Sequence, residues 1–319
     1  MSVPAVPAVR ETRPVAASGD AADDPAIFID PANPSASVIL ATDKQSGLFL
    51  FALDGNVRQF MPLGRLNNVD VREDGAGGVA VASNLSDDTV TIFRVQDAEA
   101  HVTGSFPAGR PGPYGICMAR AQPAGSFLVA VTDASGVIDV FRFSAPDGSD
   151  AERRVSVDLG EDIEGCVFDD DNSTLFVGRE DSGITRFAVT RSGELRDPFT
   201  VDTIGTGSGI VADIEGLTLV RGETAAAGYL VASSQGNNTF AVYDRAGVTF
   251  IGRFSISGST DGTVDPAEET DGIAATAVPL PGFPGGLLVA QDGDNAPGRS
   301  NQNFKYVRWE TVLRAIDAP

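Results

Sequence analysis

The sequence predicts an all-β fold, a six-bladed β-propeller with four-stranded antiparallel blades around a central channel. Three observations carry the prediction. Six hairpin-like segments recur along the 319 residues. Glycine (36) and proline (19) are in excess, which calls for many tight turns. Helical periodicity is nearly absent, and only WETVLRAI near the C-terminus fits a turn or two of helix.

In chain order the hairpins are VILATDKQSGLFLFAL from Val38, VAVASNLSDDTVTIFRV from Val79 and FLVAVTDASGVIDVFRF from Phe127. TLFVGREDSGITRFAV from Thr174, YLVASSQGNNTFAVYDR from Tyr229 and GLLVAQDGDNAPGRSNQNFKYVRW from Gly286 complete the set. Each sets two apolar runs on either side of a turn rich in Gly, Asn, Asp or Ser. The residue after the first run marks the repeat: Thr42, Ser83, Thr132, Gly178, Ser233 and Gln291. The markers recur every ~50 residues, which leaves room for two more strands per repeat and gives the arithmetic of propeller blades. A pair of β-sandwiches would not explain six regular hairpins. Residues 1–10 read as an extended, mobile lead-in and 11–319 as one propeller domain. Phe304 and Trp309 read as packing anchors of the last blade.

Ahead of every hairpin lies an apolar strand interrupted by an acidic or polar residue. These are DDPAIFID, NNVDVR, PYGICM, DIEGCVF, DIEGLTL and TDGIAA. Aligned on Asp24, Asp70, Tyr114, Glu164, Glu215 and Asp271, they supply one residue per blade to the channel mouth, because the first strand of a blade lines the channel. Carboxylates that close cannot all ionise alone; either some are protonated or cations sit among them. Oxygen ligands without Cys or His select calcium. The plainer reading is that such residues cap strand ends by bonding backbone amides. No EF-hand spacing occurs, so a calcium site must be assembled from distant segments.

Forty-four acidic residues against 23 basic ones give a formal charge of −21, which argues against nucleic acid and anionic membranes as partners. One histidine, His101, leaves little support for His-based zinc or Ser-His-Asp chemistry. The two cysteines, Cys117 and Cys166, each sit beside an apolar residue and read as buried free thiols in preference to a disulfide. No apolar run reaches the ~18 residues of a membrane span, and no signal peptide is visible. Asp169–Ser173 reads as a solvated turn.

DAADDPAIFIDP (Asp20–Pro31), GRLNNVDVR (Gly64–Arg72), DIEGLTL, SSQGNNTFAVY (Ser233–Tyr243), TDGI and NQNFKYVRWE (Asn301–Glu310) together resemble the β-propeller phytases over nearly the whole chain. The resemblance implies a calcium-dependent hydrolase of phytate or lower inositol phosphates, secreted or periplasmic. It implies structural calcium at Glu11, Asp24, the Pro25 carbonyl, the Val69 carbonyl and Asp271. It implies catalytic calcium among Tyr114, Glu164, Glu180, Asp213 and Glu215, with Lys44 on substrate phosphate. Asp20, Asp23, Asn67, Asn68 and Asp70 fall inside the same strings. The chain departs from the family at Leu85, where an arginine is expected, and near Ala134 and Ser135, where a lysine is. Gln45 is a third candidate loss, and Arg65 and Arg179 are candidate substitutes. The expected partner is a small phosphate ester and the expected state a monomer. Two other readings compete: a calcium-stabilised propeller that binds phosphate-rich ligands without turnover, and a different calcium propeller hydrolase such as a lactonase.

Overall fold

The second and third strands of each repeat are the most apolar segments of the chain. They are buried on both faces, as Val38–Asp43 and Gly47–Ala52 illustrate. The computed structural model, which describes residues 3–75, 77–295 and 301–317, folds them into six antiparallel sheets arranged as propeller blades. From channel to rim, blade one is Ala22–Phe28, Val38–Asp43, Gly47–Ala52 and Val57–Met61. Blade two is Leu66–Glu73, Gly78–Asn84, Thr89–Gln96 and Glu99–Pro107. Blade three is Ile116–Ala121, Ser126–Thr132, Val137–Phe143 and Glu152–Asp158. Blade four is Cys166–Asp169, Thr174–Arg179, Gly183–Val189 and Leu195–Thr203. Blade five is Leu217–Arg221, Gly228–Ser234, Thr239–Asp244 and Phe250–Ser257. All six predicted hairpins are the second and third strands of blades; the tip of the last, residues 296–300, lies outside the described residues.

Blade six closes the ring with strands from both ends of the chain. Ile273–Thr276, Leu287–Asp292 and Asn303–Arg308 receive Arg10–Glu11 as their outer strand. Ala5–Pro7 runs parallel to the outer strand of blade five, with Val6 fully buried. The stretch read as a mobile lead-in therefore holds strand at Ala5–Pro7 and again from Arg10. A helix, Trp309–Ala315, packs Trp309 and Val312 between blades five and six.

Apolar side chains fill the spaces between blades. Each of six buried clusters joins two neighbours, for example Leu40, Leu48 and Leu50 of blade one with Val69, Ala80 and Phe93 of blade two. The inner strands approach closely because glycine follows the mouth residue in four blades. A Cβ on Gly115 would stand 1.8 Å from the Glu164 carbonyl oxygen, and one on Gly165 would stand 1.6 Å from that of Glu215.

Two expectations are corrected. Cys117 and Cys166 form a disulfide, not free thiols: adjacent inner strands bring their Cα atoms to 5.8 Å. Asp169 is not part of a solvated turn. It is buried against the equally buried Arg245, which also bonds Asp171.

Gly165→Ala is expected to destabilise the protein by about 3 kcal/mol through forced blade separation. Gly207→Ala, with no atom near its added methyl, should stay within about 0.5 kcal/mol of the parent. Denaturant unfolding of both variants checks this.

Candidate active site

The markers at the ends of the second strands fix the register of the mouth. The N–H groups of Asp24, Asn68, Gly115 and Gly216 donate to the hydroxyls of Thr42 (2.9 Å), Ser83 (3.0 Å), Thr132 (2.9 Å) and Ser233 (2.8 Å). Gly178 has no side chain, and its own N–H donates to the Gly165 carbonyl at 2.7 Å. Gln291 donates its N–H to the Gly272 carbonyl (3.0 Å) and accepts from the N–H of Asp271 (2.8 Å). The residues just before these six positions are equivalent: Asp23, Asn67, Tyr114, Glu164, Glu215 and Asp271.

This inner ring matches the sequence alignment in blades three to six and corrects it in blades one and two. There the equivalents are Asp23 and Asn67, not Asp24 and Asp70. Asp24 accepts the Val69 N–H of the next blade (3.0 Å), and Asp70 accepts that of Met118 (2.8 Å) and pairs with Arg72. Both line the channel, and each caps a backbone amide of the next blade. Pro25 and Val69 line the same channel beside Asp24.

Two residues past each marker, on the hairpin turns, stand Lys44, Leu85, Ala134, Glu180, Gln235 and Gly293. They form an outer ring that reaches over the inner one. Lys44 Nζ meets Asp20 at 2.8 Å, Asp271 at 3.2 Å and Asp23 at 3.5 Å. Gln235 Nε2 donates to Asp271 (2.7 Å) and Glu215 (2.9 Å). In the inner ring, Asn67 Nδ2 donates to Glu164 (2.8 Å), which the Tyr114 phenol also bonds. Glu164, Glu180 and Glu215 each offer a carboxylate oxygen, and the three lie within 4.8 Å of one another.

The electrostatics follow from this crowding. Burial first, then the charge of Asp271, pushes Glu164 up to about 8; burial, Asp271 and Glu164 push Glu215 up to about 11. Burial with Asp162 and Asp213 raises Glu180 to about 7. Burial, then Glu164, raises Asp23 well above the usual carboxylate range. Burial also raises the Tyr114 phenol, with Glu164 next, so it stays protonated and donates. Burial works against the Lys44 ammonium, but Asp23 and Asp271 outweigh it and hold the charge. One lysine does not balance this set. Asp23 Oδ2, Asp162 Oδ1 and Glu180 Oε1 are buried with no hydrogen-bond partner in the protein. Oxygen-only ligands that converge at Glu164, Glu180 and Glu215, with orphaned carboxylate oxygens at Glu180 and around it, fit a hard divalent cation such as calcium.

The remaining candidates fall elsewhere. Glu11 accepts from the buried Lys305 (2.8 Å), which also pairs with Asp265 and Asp292, so it joins a different cluster at the closure of blade six. The Asp213 carbonyl accepts the Gln235 N–H at 3.0 Å, and its charge bears on Glu180. Leu85 is half-buried and belongs to no core cluster; Ala134 and Ser135 are exposed. Gln45 donates to the Ser18 and Asp20 carbonyls. Arg179 is taken up by Glu161, and Arg65 is exposed beside the mouth with no ion pair among the described residues. Gln235 lies inside SSQGNNTFAVY with no role assigned from sequence, although its place two residues past a marker, like Lys44 and Glu180, is a signal that finds it.

A family model of phytases matches residues 3–319. Over 331 aligned residues the chain is 36% identical to a 3-phytase of Bacillus subtilis (strain 168), covering 98% of this chain and 85% of that protein. A solved structure of a functionally unknown protein from Desulfotomaculum acetoxidans DSM 771 aligns at 17% identity with a TM-score of 0.51. It covers 72% of this chain and 70% of its own, a likeness of fold alone. These likenesses and the acidic mouth define a phytase-type hydrolase built on a six-bladed propeller. The chain belongs to the phytase family.

In metal-free protein the raised carboxyls make stability depend on pH. Glu164 and Glu180 keep their protons in the folded chain at pH values where the unfolded chain has lost them. The folded state then binds more protons, so stability falls as pH rises from about 4.5 through about 7 to about 8. The thermal midpoint in excess chelator should drop across this window, and calcium should offset the drop. A midpoint flat with pH in chelator would contradict the assigned crowding.

Proposed function

We propose that this propeller releases phosphate from phytate or lower inositol phosphates, by attack of water activated at calcium ions held in its mouth. The observation that carries the reading is the convergence of Glu164, Glu180 and Glu215, whose oxygens lie within 4.8 Å of one another and lack sufficient counter-charge. Tyr114, Glu164, Glu180, Asp213 and Glu215 would hold the catalytic ions. Asp24, the Pro25 and Val69 carbonyls and Asp271 would hold structural calcium in the channel. Glu11 stays outside this set, because its Oε2 accepts from Lys305 and Asn303 in the cluster at the closure of blade six.

Calcium, when bound, supplies positive charge to phosphate oxygens and lowers the pKa of water at the site. The chain's own groups do the rest. Glu180 has a buried oxygen with no partner in the protein, so it is placed to accept the proton of the attacking water. Lys44 can exchange its contact with Asp20, whose side chain is 74% exposed, for a substrate phosphate oxygen. Water oxygen bonds to phosphorus as the bond from phosphorus to the inositol oxygen breaks, and that oxygen takes a proton from solvent. All ring residues come from one chain, so a monomer suffices. Secretion or export to a periplasm is the location we favour, supported by the Cys117–Cys166 disulfide, a bond that persists in oxidising compartments.

A second reading, binding of phosphate-rich ligands without turnover, draws on the outer ring, where Leu85 and Ala134 leave two hairpin turns without a cation. Phosphate release from phytate with and without calcium decides between them. Calcium-dependent release supports hydrolysis; tight phytate binding with no release supports the second reading.

Glu180→Gln and Asp213→Asn should cut turnover by about 100-fold or more while leaving the thermal midpoint near the parent value. Asp24→Asn and Asp271→Asn should lower calcium affinity and thermal midpoint together. If all four variants behave alike, the division into catalytic and structural calcium fails.

Leu85→Arg should add a charge-assisted contact of about 1.5–3 kcal/mol and lower the Michaelis constant for phytate by about tenfold or more. Half-burial outside every core cluster predicts little change in thermal midpoint. A lower midpoint with no improvement in the constant would mean that Leu85 packs beneath its hairpin.

A further inference from the structure

Asp271 is gripped from two sides. Lys44, from the hairpin turn of blade one, reaches its Oδ2 at 3.2 Å. Gln235, from the hairpin turn of blade five, reaches its Oδ1 at 2.7 Å. Both residues occupy the same outer-ring position, and each bridges Asp271 to a second inner-ring carboxylate: Asp23 for Lys44, Glu215 for Gln235. The two grips differ in one respect. Lys44 brings a positive charge, whereas Gln235 brings a donor and no charge.

That difference suits a cation site. Glu215 and Asp271 hydrogen-bond each other and both accept from one amide nitrogen, so without that donor only their own contact would fix their separation. A cationic donor at position 235 would hold them but would repel a metal ion. A neutral amide holds them at fixed separation and leaves their charge for the ion. The Gln235 backbone adds a third tie, donating its N–H to the Asp213 carbonyl at 3.0 Å. Its side chain is half-buried and belongs to none of the apolar clusters between blades.

We infer that Gln235 is a positioning residue of the mouth, a neutral clamp that orients Glu215 and Asp271 toward calcium. The inference rests on the calcium reading of the mouth given above. Gln235→Leu removes the donor at similar volume and keeps the backbone tie; Gln235→Lys keeps a donor but adds charge. Calcium binding is followed by titration calorimetry on metal-free protein, steady-state kinetics on phytate at saturating calcium, and thermal midpoint in chelator. Gln235→Leu should weaken calcium binding by about tenfold or more. At saturating calcium its kcat should fall with the Michaelis constant near the parent value. Its midpoint in chelator should not fall by more than that of the Gly207→Ala control. Gln235→Lys should weaken calcium binding further, even though it can bond the same carboxylates.

Parent-like calcium affinity and kcat in Gln235→Leu would overturn the inference while leaving the calcium reading intact. A large loss of midpoint in chelator would make Gln235 a packing residue and overturn it too. Calcium binding in Gln235→Lys as tight as in the parent would overturn the argument from neutrality. Absence of calcium binding in the parent would overturn the calcium reading itself, and the inference with it.

Discussion

Carboxylates drawn into a partly buried channel mouth repel one another, and burial makes each costlier to ionise. Here Asp23, Glu164, Glu180, Glu215 and Asp271 face a single lysine, and Glu164 and Glu215 respond by titrating far above the ordinary carboxylate range. Such a set does not assemble by itself. The fold has to hold it, and much of the molecule can be read as the means of holding it. Neutral donors from Asn67, Tyr114 and Gln235 satisfy some oxygens without cancelling charge. Others are left without a protein partner, the condition in which a hard cation is the natural complement.

The holding is done by the blades. Second-strand side chains bond their own inner strand and then the next blade: the Ser83, Thr132 and Ser233 hydroxyls donate to the carbonyls of Tyr114, Ile163 and Asp271, and the Gln291 amide to that of Ala22. Glycine beside four of the mouth residues lets the neighbouring backbone come within contact distance. The disulfide ties the inner strands of blades three and four. At the closure of blade six, buried Lys305 meets Glu11, Asp265 and Asp292, so removing the N-terminal strand would strip that lysine of one carboxylate and the blade of its edge.

Much of this was legible in the sequence because a propeller repeats its chemistry. Six hairpins at a near-constant interval gave the blades, and in blades one, four and five the residue two past the marker is Lys44, Glu180 and Gln235. The register of the first two inner strands was not legible. DDP and NNV each offer adjacent polar residues with no following glycine to mark the mouth position, and a bulge at each strand start shifts the pairing by residues the pattern does not reveal. The disulfide escaped because its cysteines meet only once inner strands from separate repeats stand side by side. Arg245 and Asp169 escaped for the same reason: the first residue of DDDNS is buried by a distant arginine, while Asp171–Ser173 stay exposed in the turn. Glu11 reads as a metal ligand by resemblance, and nothing in the sequence signals that a lysine far along the chain bonds its Oε2.

The central claim is that the mouth is a calcium site whose carboxyls are partly protonated without the ion. Calcium that binds through those carboxylates would displace their protons. The most direct test is to add calcium to metal-free protein in weakly buffered solution near pH 7 and to count released protons by back-titration with base. Calcium uptake should release about one proton or more per chain, drawn from groups such as Glu164 and Glu215. Calcium uptake with no proton release, or no uptake at all, would contradict that claim.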